Sequence, residues 1–300
     1  MSPQVWLITG TSSGFGAEFV KSAIARGDKV IATARNVEKI NHLKDIGAAT
    51  MQLDVTASQA ELDRKANEAI SMYGRIDVLV NNAGYTQFGT IEESSHEEWF
   101  TQFNTNVFGT LNTTRSFLPH FRSNKSGAIV FIGSMVAWDG VPIVGAYCAS
   151  KAALHCTYPL EDMSEIPANT VADSVESLQK EVGPLGIKTL LVEPGTFRTD
   201  LLAATNRKSA QSKYAIADYK ALTEAVENGF ASLDGNQIGD PVKGVALIID
   251  LVKGKNVAAG KEWPSQLPIG SDAVGVIRKK CEETLRELEQ WEELAKSTDA

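Results

Sequence analysis

Val5-Trp6-Leu7-Ile8-Thr9-Gly10-Thr11-Ser12-Ser13-Gly14-Phe15-Gly16 begins as a short apolar run and breaks into a turn holding three glycines. A brief apolar run bounded by turn residues reads as a buried strand, and a helix is expected to begin near Gly14. Glycines let the backbone turn sharply and come close to a ligand, while the free N–H groups at a helix start meet negative charge such as a pyrophosphate. A glycine trio alone is a weak signal. Its position straight after the first strand, opening a helix, is what points to phosphate binding.

Outward from this turn the same alternation repeats. Strands are expected at residues 5–9, 29–33, 50–53, 78–81, 128–132 and 189–192. Helices are expected to begin near Gly14, Val37, Ser58, Ser95, Gly145 and Ser174, and Ser95 stands three before Glu98, the spacing of a capping box. Strands alternating with helices imply a parallel sheet of about seven strands, doubly wound, with helices on both faces. After Pro194 the alternation weakens, and residues 201–234 read as polar-faced helical pieces without strands, suited to a substrate lid over about 200–238. Asp240-Pro241 then supplies an N-cap and a first-turn proline for a helix through Leu251. Ser271 opens a last helix on which Ile277, Cys281, Leu285, Leu288 and Trp291 recur at three- and four-residue spacing, a face expected to pack against the body or a sister subunit.

Composition narrows the class. The 300 residues are 43% hydrophobic and 22% charged, enough for one domain spanning 1–300. A net charge of -8 argues against nucleic acid and anionic membrane as partners and favours a small molecule. No run approaches the ~18 apolar residues of a membrane span, and the start has no signal-peptide pattern, so a soluble, cytoplasmic protein is expected. Cys148, Cys156 and Cys281 lack metal-ligand spacing, and no metal site or disulfide framework follows.

The second strand ends Ala32-Thr33-Ala34-Arg35. An acidic residue at this tip would bind a ribose 2′-hydroxyl; Ala34 stands there instead, followed by a guanidinium able to pair with a 2′-phosphate. NADP(H) is therefore expected over NAD(H).

Further motifs fall in order along the chain: Leu53-Asp54-Val55, Asn81-Asn82-Ala83-Gly84, Asn106, Ser134, Tyr147-Cys148-Ala149-Ser150-Lys151, and Pro194-Gly195 with Thr199. With the glycine turn they resemble the short-chain dehydrogenase/reductase family over nearly the whole chain. The C-terminal stretch from Leu267 to Ala273 further resembles its subgroup described as 17β-hydroxysteroid-dehydrogenase-like. The resemblance implies a Rossmann-type fold, with Asn106, Ser134, Tyr147 and Lys151 as catalytic residues. It places the cofactor on Gly10, Ser12, Ser13, Gly14, Phe15 and Gly16, on Arg35, and on Asp54 and Val55 at the adenine. It adds Asn82, Ala83 and Gly84 at the end of the fourth strand, Tyr147 and Lys151, and Pro194, Gly195, Phe197 and Thr199 in the segment that holds the nicotinamide carboxamide.

In this chemistry a hydride reaches a carbonyl carbon while charge grows on its oxygen, so a proton donor and a hydrogen-bond donor must converge there. Tyr147 is the expected acid, and Lys151, one helical turn on, is expected to lower its pKa. Resemblance assigns Lys151 to the ribose as well, Ser134 to the substrate oxygen, and Asn106 to a relay water. Met135, Val136, Ala137, Trp138, Val141, Val144, Tyr85, Phe88 and Phe197 are expected to line an apolar pocket for a cyclic steroid-, polyketide- or secondary-metabolite-like ketone or alcohol. The rival is a non-catalytic or repurposed NADP-binding relative.

One departure stands out. Residues 155–172 interrupt the helix carrying Tyr147 and Lys151, with Pro159 and Pro167 inside, and proline breaks a helix at a cost of ~3 kcal/mol. An inserted loop is expected, which puts the family's usual oligomer in doubt. His155, four after Lys151, is expected to serve packing or local hydrogen bonding more than proton relay.

Overall fold

The computed structural model describes residues 3–155, 174–203, 207–209 and 216–299. In chain order the first half comprises β1 (Val5–Ile8), α1 (Gly14–Ala25), β2 (Lys29–Ala34), β3 (Ala49–Gln52), α2 (Gln59–Tyr73), β4 (Val78–Asn81), β5 (Thr86–Phe88), α3 (His96–Phe103), α4 (Thr110–Asn124) and β6 (Gly127–Ile132). The second half comprises α5 (Gly145–Ala152), α6 (Ser174–Val182), β7 (Ile187–Pro194), β8 (Arg207–Ser209), α7 (Lys220–Leu233), α8 (Pro241–Lys253), β9 (Gln266–Ile269) and α9 (Ser271–Lys296).

Seven strands form one parallel sheet in the order β3-β2-β1-β4-β6-β7-β9, a Rossmann-type doubly wound arrangement. Successive side chains of β1 enter different cores. Trp6 and Ile8 join Phe19, Val20, Val245 and Ile249 from α1 and α8, whereas Val5 and Leu7 join Leu62, Phe117, Phe121 and Leu178 from α2, α4 and α6. A sheet covered on both faces needs apolar residues at every position, which is why its strands are runs and not alternations.

Several caps form as expected. Ser95 and Glu98 exchange both capping-box bonds, and the Asp240 carboxylate accepts from the N–H groups of Val242 and Lys243 ahead of α8. The segment from Val37 is a 3₁₀ helix, Val37–Lys44, rather than an α-helix.

Other elements differ from expectation. The region after Pro194 contains a strand after all: β8 pairs with β5 in a separate two-stranded sheet. Three residues are too few to show a period, and their pairing is decided by what β5 offers. The seventh strand of the main sheet, β9, contains Pro268 and so reads poorly as a strand; as the edge strand it tolerates that residue. Helix α5 ends at Ala152, one residue beyond Lys151, with Leu154 and His155 in closing turns. The inserted segment itself lies outside the described residues.

A π-helical turn, Asn104–Gly109, joins α3 to α4. Such turns are uncommon and concentrate at functional sites. A Cβ on Gly109 would lie 2.9 Å from the Val55 carbonyl, so this turn can approach the loop after β3 only with glycine there.

Candidate active site

Strand ends β1, β4 and β6 converge at one edge of the sheet, and the sequence-identified residues gather there. The Thr9 hydroxyl accepts from the N–H groups of Asn82 (2.9 Å) and Ala83 (3.0 Å), and the Asn82 amide donates to the carbonyls of Thr9 and Gly10, both at 2.9 Å. Asn82 is thus a stitch between β4 and the glycine turn. Gly10 adopts φ +67°, and a Cβ there would lie 2.8 Å from Ala83 Cα; a Cβ on Gly16 would fall on the Gly10 carbonyl. These clashes make the turn a shallow cradle of bare backbone.

Above the cradle, α1 begins at Gly14 with Ser13 as N-cap, no side-chain cap bond and no acidic residue in its first turn. Its N–H groups and positive dipole end therefore remain for an anionic ligand. The ring of Phe15 packs on that of Phe197 at 5.0 Å, and a Cβ on Gly14 would touch Thr199 at 3.4 Å. The segment after β7 thus closes one side of the cradle. Asp272 of α9 holds that segment, accepting from the Thr196 N–H and hydroxyl, both at 2.6 Å, and its carboxylate occupies the space a side chain on Gly195 would need. Asp272 was not singled out from sequence because a carboxylate opening a helix resembles any other first-turn acid.

Arg35 is exposed beyond the buried Ala34 and makes no ion pair among the described residues. Asp54 lies across the same end of the sheet, one oxygen engaged by the N–H and hydroxyl of Thr56 at 2.9 and 2.8 Å. The uncapped helix start and the bare-backbone cradle fit the pyrophosphate of a dinucleotide.

Tyr147 is buried on α5, its hydroxyl hydrogen-bonded to the side chains of Ser134 and Thr86. Burial, the largest effect, pushes Tyr147 up to about 12 despite those bonds, and pulls Lys151 down to about 8. The expectation that Lys151 draws the phenol below its ordinary value is therefore corrected. Its ammonium lies 5.8 Å from the Tyr147 ring centre and donates to the Ile132 carbonyl at 2.7 Å. A Cβ on Gly84 would lie 3.2 Å from Asn106 Oδ1 and 3.9 Å from Lys151 Nζ, so glycine lets β4's following loop pass between them.

The Asn106 amide is committed to protein groups. Its Oδ1 accepts from the Tyr85 N–H at 3.2 Å, while Nδ2 donates to the Tyr85 carbonyl at 3.2 Å and to Ser150 Oγ at 3.0 Å. Ser150, unnoticed in sequence, donates in turn to the Tyr147 carbonyl at 2.7 Å. Asn106 thereby ties the loop after Gly84 to the helix bearing Tyr147.

Around Tyr147 an apolar cluster assembles Phe88, Ile143, Val144 and Cys148, with Val136, Val141, Val226 and Phe230 against it. Phe88, Val136, Val141 and Val144 were expected there; Val226 and Phe230 come from α7, and Phe230 meets Phe88 edge-on at 5.5 Å. Phe197 instead packs on Phe15 at the start of α1.

Trp138 also turns away from this cluster. Buried Glu193, at the end of β7, accepts with one oxygen from Trp138 Nε1 at 2.8 Å and pairs with His155 Nδ1 at 2.7 Å, and the two rings meet at 4.2 Å. His155 thus has the packing and hydrogen-bonding place expected of it, tying the loop after Ser134 to the end of α5. Glu193→Ala is expected to remove the shared partner of two part-buried side chains and destabilise the chain by about 1–3 kcal/mol, read as a lowered urea midpoint at constant m; an unchanged midpoint would show the anchor to be idle.

No helix among the described residues is long and apolar enough to cross a membrane. Residues 4–158 match the family model described as short chain dehydrogenase. Oxidoreductase BOA17 of Botryotinia fuckeliana is 30% identical over 296 residues, covering 97% of this chain and 98% of that one. The 3-ketodihydrosphingosine reductase of Bacteroides thetaiotaomicron is 35% identical over 199 residues, 66% of each chain. A solved short-chain dehydrogenase from Streptomyces avermitilis superposes with a TM-score of 0.81 at 35% identity over the full length of both. Chains sharing only the fold, at 20% and 22% identity, have been solved with NAD and with NADP. With a glycine cradle on the first strand–helix turn, and Ser134, Tyr147 and Lys151 gathered at the same sheet edge, the chain belongs to the short-chain dehydrogenase/reductase family of oxidoreductases.

Proposed function

We propose that this protein is an NADP(H)-dependent oxidoreductase interconverting a carbonyl and a secondary alcohol on a hydrophobic, cyclic small molecule. The observation that carries the reading is the buried Tyr147 hydroxyl held by Ser134 one helical turn from Lys151, facing an apolar cluster. When bound, NADP(H) supplies or accepts the hydride. Gly10, Ser12, Ser13, Gly14, Phe15 and Gly16 would receive its pyrophosphate, Arg35 its 2′-phosphate, and Asp54 and Val55 its adenine end. Ala83, Gly84 and the segment from Pro194 to Thr199 would flank the nicotinamide, with Asn82 holding the turn beneath.

In the reductive direction Tyr147 delivers the proton to the developing alkoxide, and Ser134 donates a hydrogen bond to the same oxygen. Burial keeps Tyr147 in its protonated form, the form an acid needs. Lys151 supplies the positive charge that lowers the cost of the phenolate left behind. Asn106 acts by position, fixing α5 against the loop after β4. The cluster beside Tyr147 is apolar, and α7 contributes Val226 and Phe230 to it, which suits a ring or chain with little polarity. The relative from Bacteroides thetaiotaomicron, named as a 3-ketodihydrosphingosine reductase, supports the hydrophobic character of this class and not its ring.

The test is NADPH and NADH oxidation across ring ketones, quinones, aliphatic ketones, aldehydes and small sugars, with alcohol oxidation in reverse. Turnover of ring ketones with NADPH is expected; tight NADPH binding without turnover in either direction would favour a non-catalytic protein. Turnover confined to hydrophilic sugars would defeat the proposed substrate class.

Arg35→Ala is expected to raise the KM for NADPH by about 10- to 100-fold and to leave that for NADH within about threefold, since one charge-assisted phosphate contact is worth ~1.5–3 kcal/mol. Equal losses with both cofactors would remove Arg35 from the 2′-phosphate.

A pH dependence also follows. Lys151 is held at about 8, so its charge is present below that pH and lost above it. Reductive kcat/KM is expected to fall as pH rises through about 8, and Lys151→Arg, whose guanidinium stays charged, is expected to remove that limb if it retains activity. A flat wild-type profile from pH 7 to 10 would contradict the role given to the ammonium.

A further inference from the structure

Strand β5 places a third hydroxyl at the reacting centre, one that the sequence motifs do not mark. Thr86 is 4% exposed, and its side chain hydrogen-bonds the Tyr147 hydroxyl alongside that of Ser134. The backbone around it is held from both sides. Asn106 takes the Tyr85 N–H and carbonyl, and buried Gln102 donates to the Tyr85 carbonyl at 2.8 Å and accepts from the Gln87 N–H at 2.7 Å. Gln102 thus grips the residues before and after Thr86. Alternation along the strand sets Thr86 on the same face as Phe88, which belongs to the cluster around Tyr147. Beyond Phe88, the Gly89 N–H donates to the Ile143 carbonyl at 2.7 Å, tying the end of β5 to the start of α5.

A count of protons shows what this hydroxyl is for. In the reductive step the carbonyl carbon takes a hydride from NADPH, which is oxidised to NADP⁺, and the carbonyl oxygen takes the proton of Tyr147. The phenol O–H bond breaks, and its electron pair stays on the Tyr147 oxygen. A serine hydroxyl has one proton to donate, and that of Ser134 is spent on the substrate oxygen. It cannot serve the new phenolate at the same moment. Lys151 acts from further off, its ammonium 5.8 Å from the ring centre and bonded to the Ile132 carbonyl. The Thr86 hydroxyl is left on the oxygen where the charge appears. Its bond to Tyr147 acts in the sense that favours the ionised form, as a donor onto that oxygen does.

We propose that Thr86 is a further catalytic residue: its hydroxyl donates to the Tyr147 oxygen and stabilises the phenolate while Ser134 serves the substrate oxygen. This rests on the reading of Tyr147 as the acid. Thr86 gives up no proton, so it lowers the barrier without entering the balance of the step. Because the bond strengthens only as charge develops, its loss falls on kcat and not on KM.

The test pairs turnover with a direct reading of the phenol. Thr86→Val keeps the branched shape and removes the hydroxyl. It is expected to lower reductive kcat by about 10- to 100-fold, the worth of a hydrogen bond to a charged group, with the substrate KM within about threefold. Unchanged NADPH affinity by fluorescence titration would report an intact fold. With 3,5-difluorotyrosine incorporated at Tyr147, a phenol that titrates well below tyrosine, the fluorine resonance follows ionisation in the protein without substrate. Its midpoint is expected to rise by about 1–2 units in Thr86→Val. Thr86→Ser, which keeps the hydroxyl, is expected to reverse most of both effects. A midpoint that Thr86→Val leaves in place overturns the proposal whatever turnover does, and the reading of Tyr147 as the acid then still stands. A shifted midpoint with kcat unchanged also overturns it, as does a loss in Thr86→Ser as large as in Thr86→Val, the mark of a packing role. A wild type without turnover on any ketone or alcohol, in which Thr86→Val still shifts the midpoint, defeats the reading of Tyr147 and with it the catalytic role of Thr86.

Discussion

Tyr147→Phe is expected to lower kcat/KM by about 10³- to 10⁴-fold, the size of effect that a positioned acid supplies. The ring stays in its apolar cluster with Phe88, Val144 and Cys148, so packing changes little and only the hydroxyl held by Ser134 and Thr86 is lost. Cofactor affinity, followed by NADPH fluorescence titration, is expected to change by less than about threefold. Stability is expected to fall by about 1 kcal/mol, the worth of a buried hydrogen bond. Parallel losses in turnover and NADPH binding would instead make the residue structural, and retained turnover would require another proton donor at this sheet edge.

Gly16→Ala carries the second large effect, and its sign is decided by a contest. Alanine is the better helix former by about 1 kcal/mol, which favours the variant within α1. Against this, the new Cβ would fall on the Gly10 carbonyl and lie 2.6 Å from Asn82 Nδ2, between the partners of the bond that stitches β4 to the turn. Overpacking of rigid backbone typically costs about 1–3 kcal/mol, so a net loss of stability is expected. Opening the turn also withdraws the cradle from the pyrophosphate, so NADPH is expected to bind about 100-fold more weakly, with NADH weakened alike. Urea denaturation and titration with both cofactors check it; a stabilised variant with unchanged affinity would place the phosphates elsewhere.

The two variants probe unequally legible parts of the molecule. The strand–turn–helix at Val5 to Gly16 could be read directly, because its signal is local: Gly10 and Gly14 take positive φ, and Gly16 must clear the Gly10 carbonyl six residues before it. The spacing of Tyr147 and Lys151 was equally plain, since one helical turn sets it. Long-range partners could not be read in this way. Asp272 fills the space beside Gly195 from 77 positions away, and Glu193 binds Trp138 and His155 from 55 and 38 away; neither leaves a pattern in its own neighbourhood. Strands β5 and β8 are three residues each, below the length at which period two can be recognised.

The pKa of Tyr147 shows the same division from the side of energetics. Sequence places a cation one turn from the phenol and so predicts a fall, but burial is a property of the packed chain, and it is the largest influence on the phenol. By itself, then, the sequence determined the alternating architecture, the phosphate cradle and the residue types at the reacting centre, because periodicity, turn chemistry and one-turn spacing are short-range. Only the tertiary structure decided how Asn106 is spent, what walls the pocket and which face of α9 is left open, because those depend on which distant surfaces the fold brings into contact.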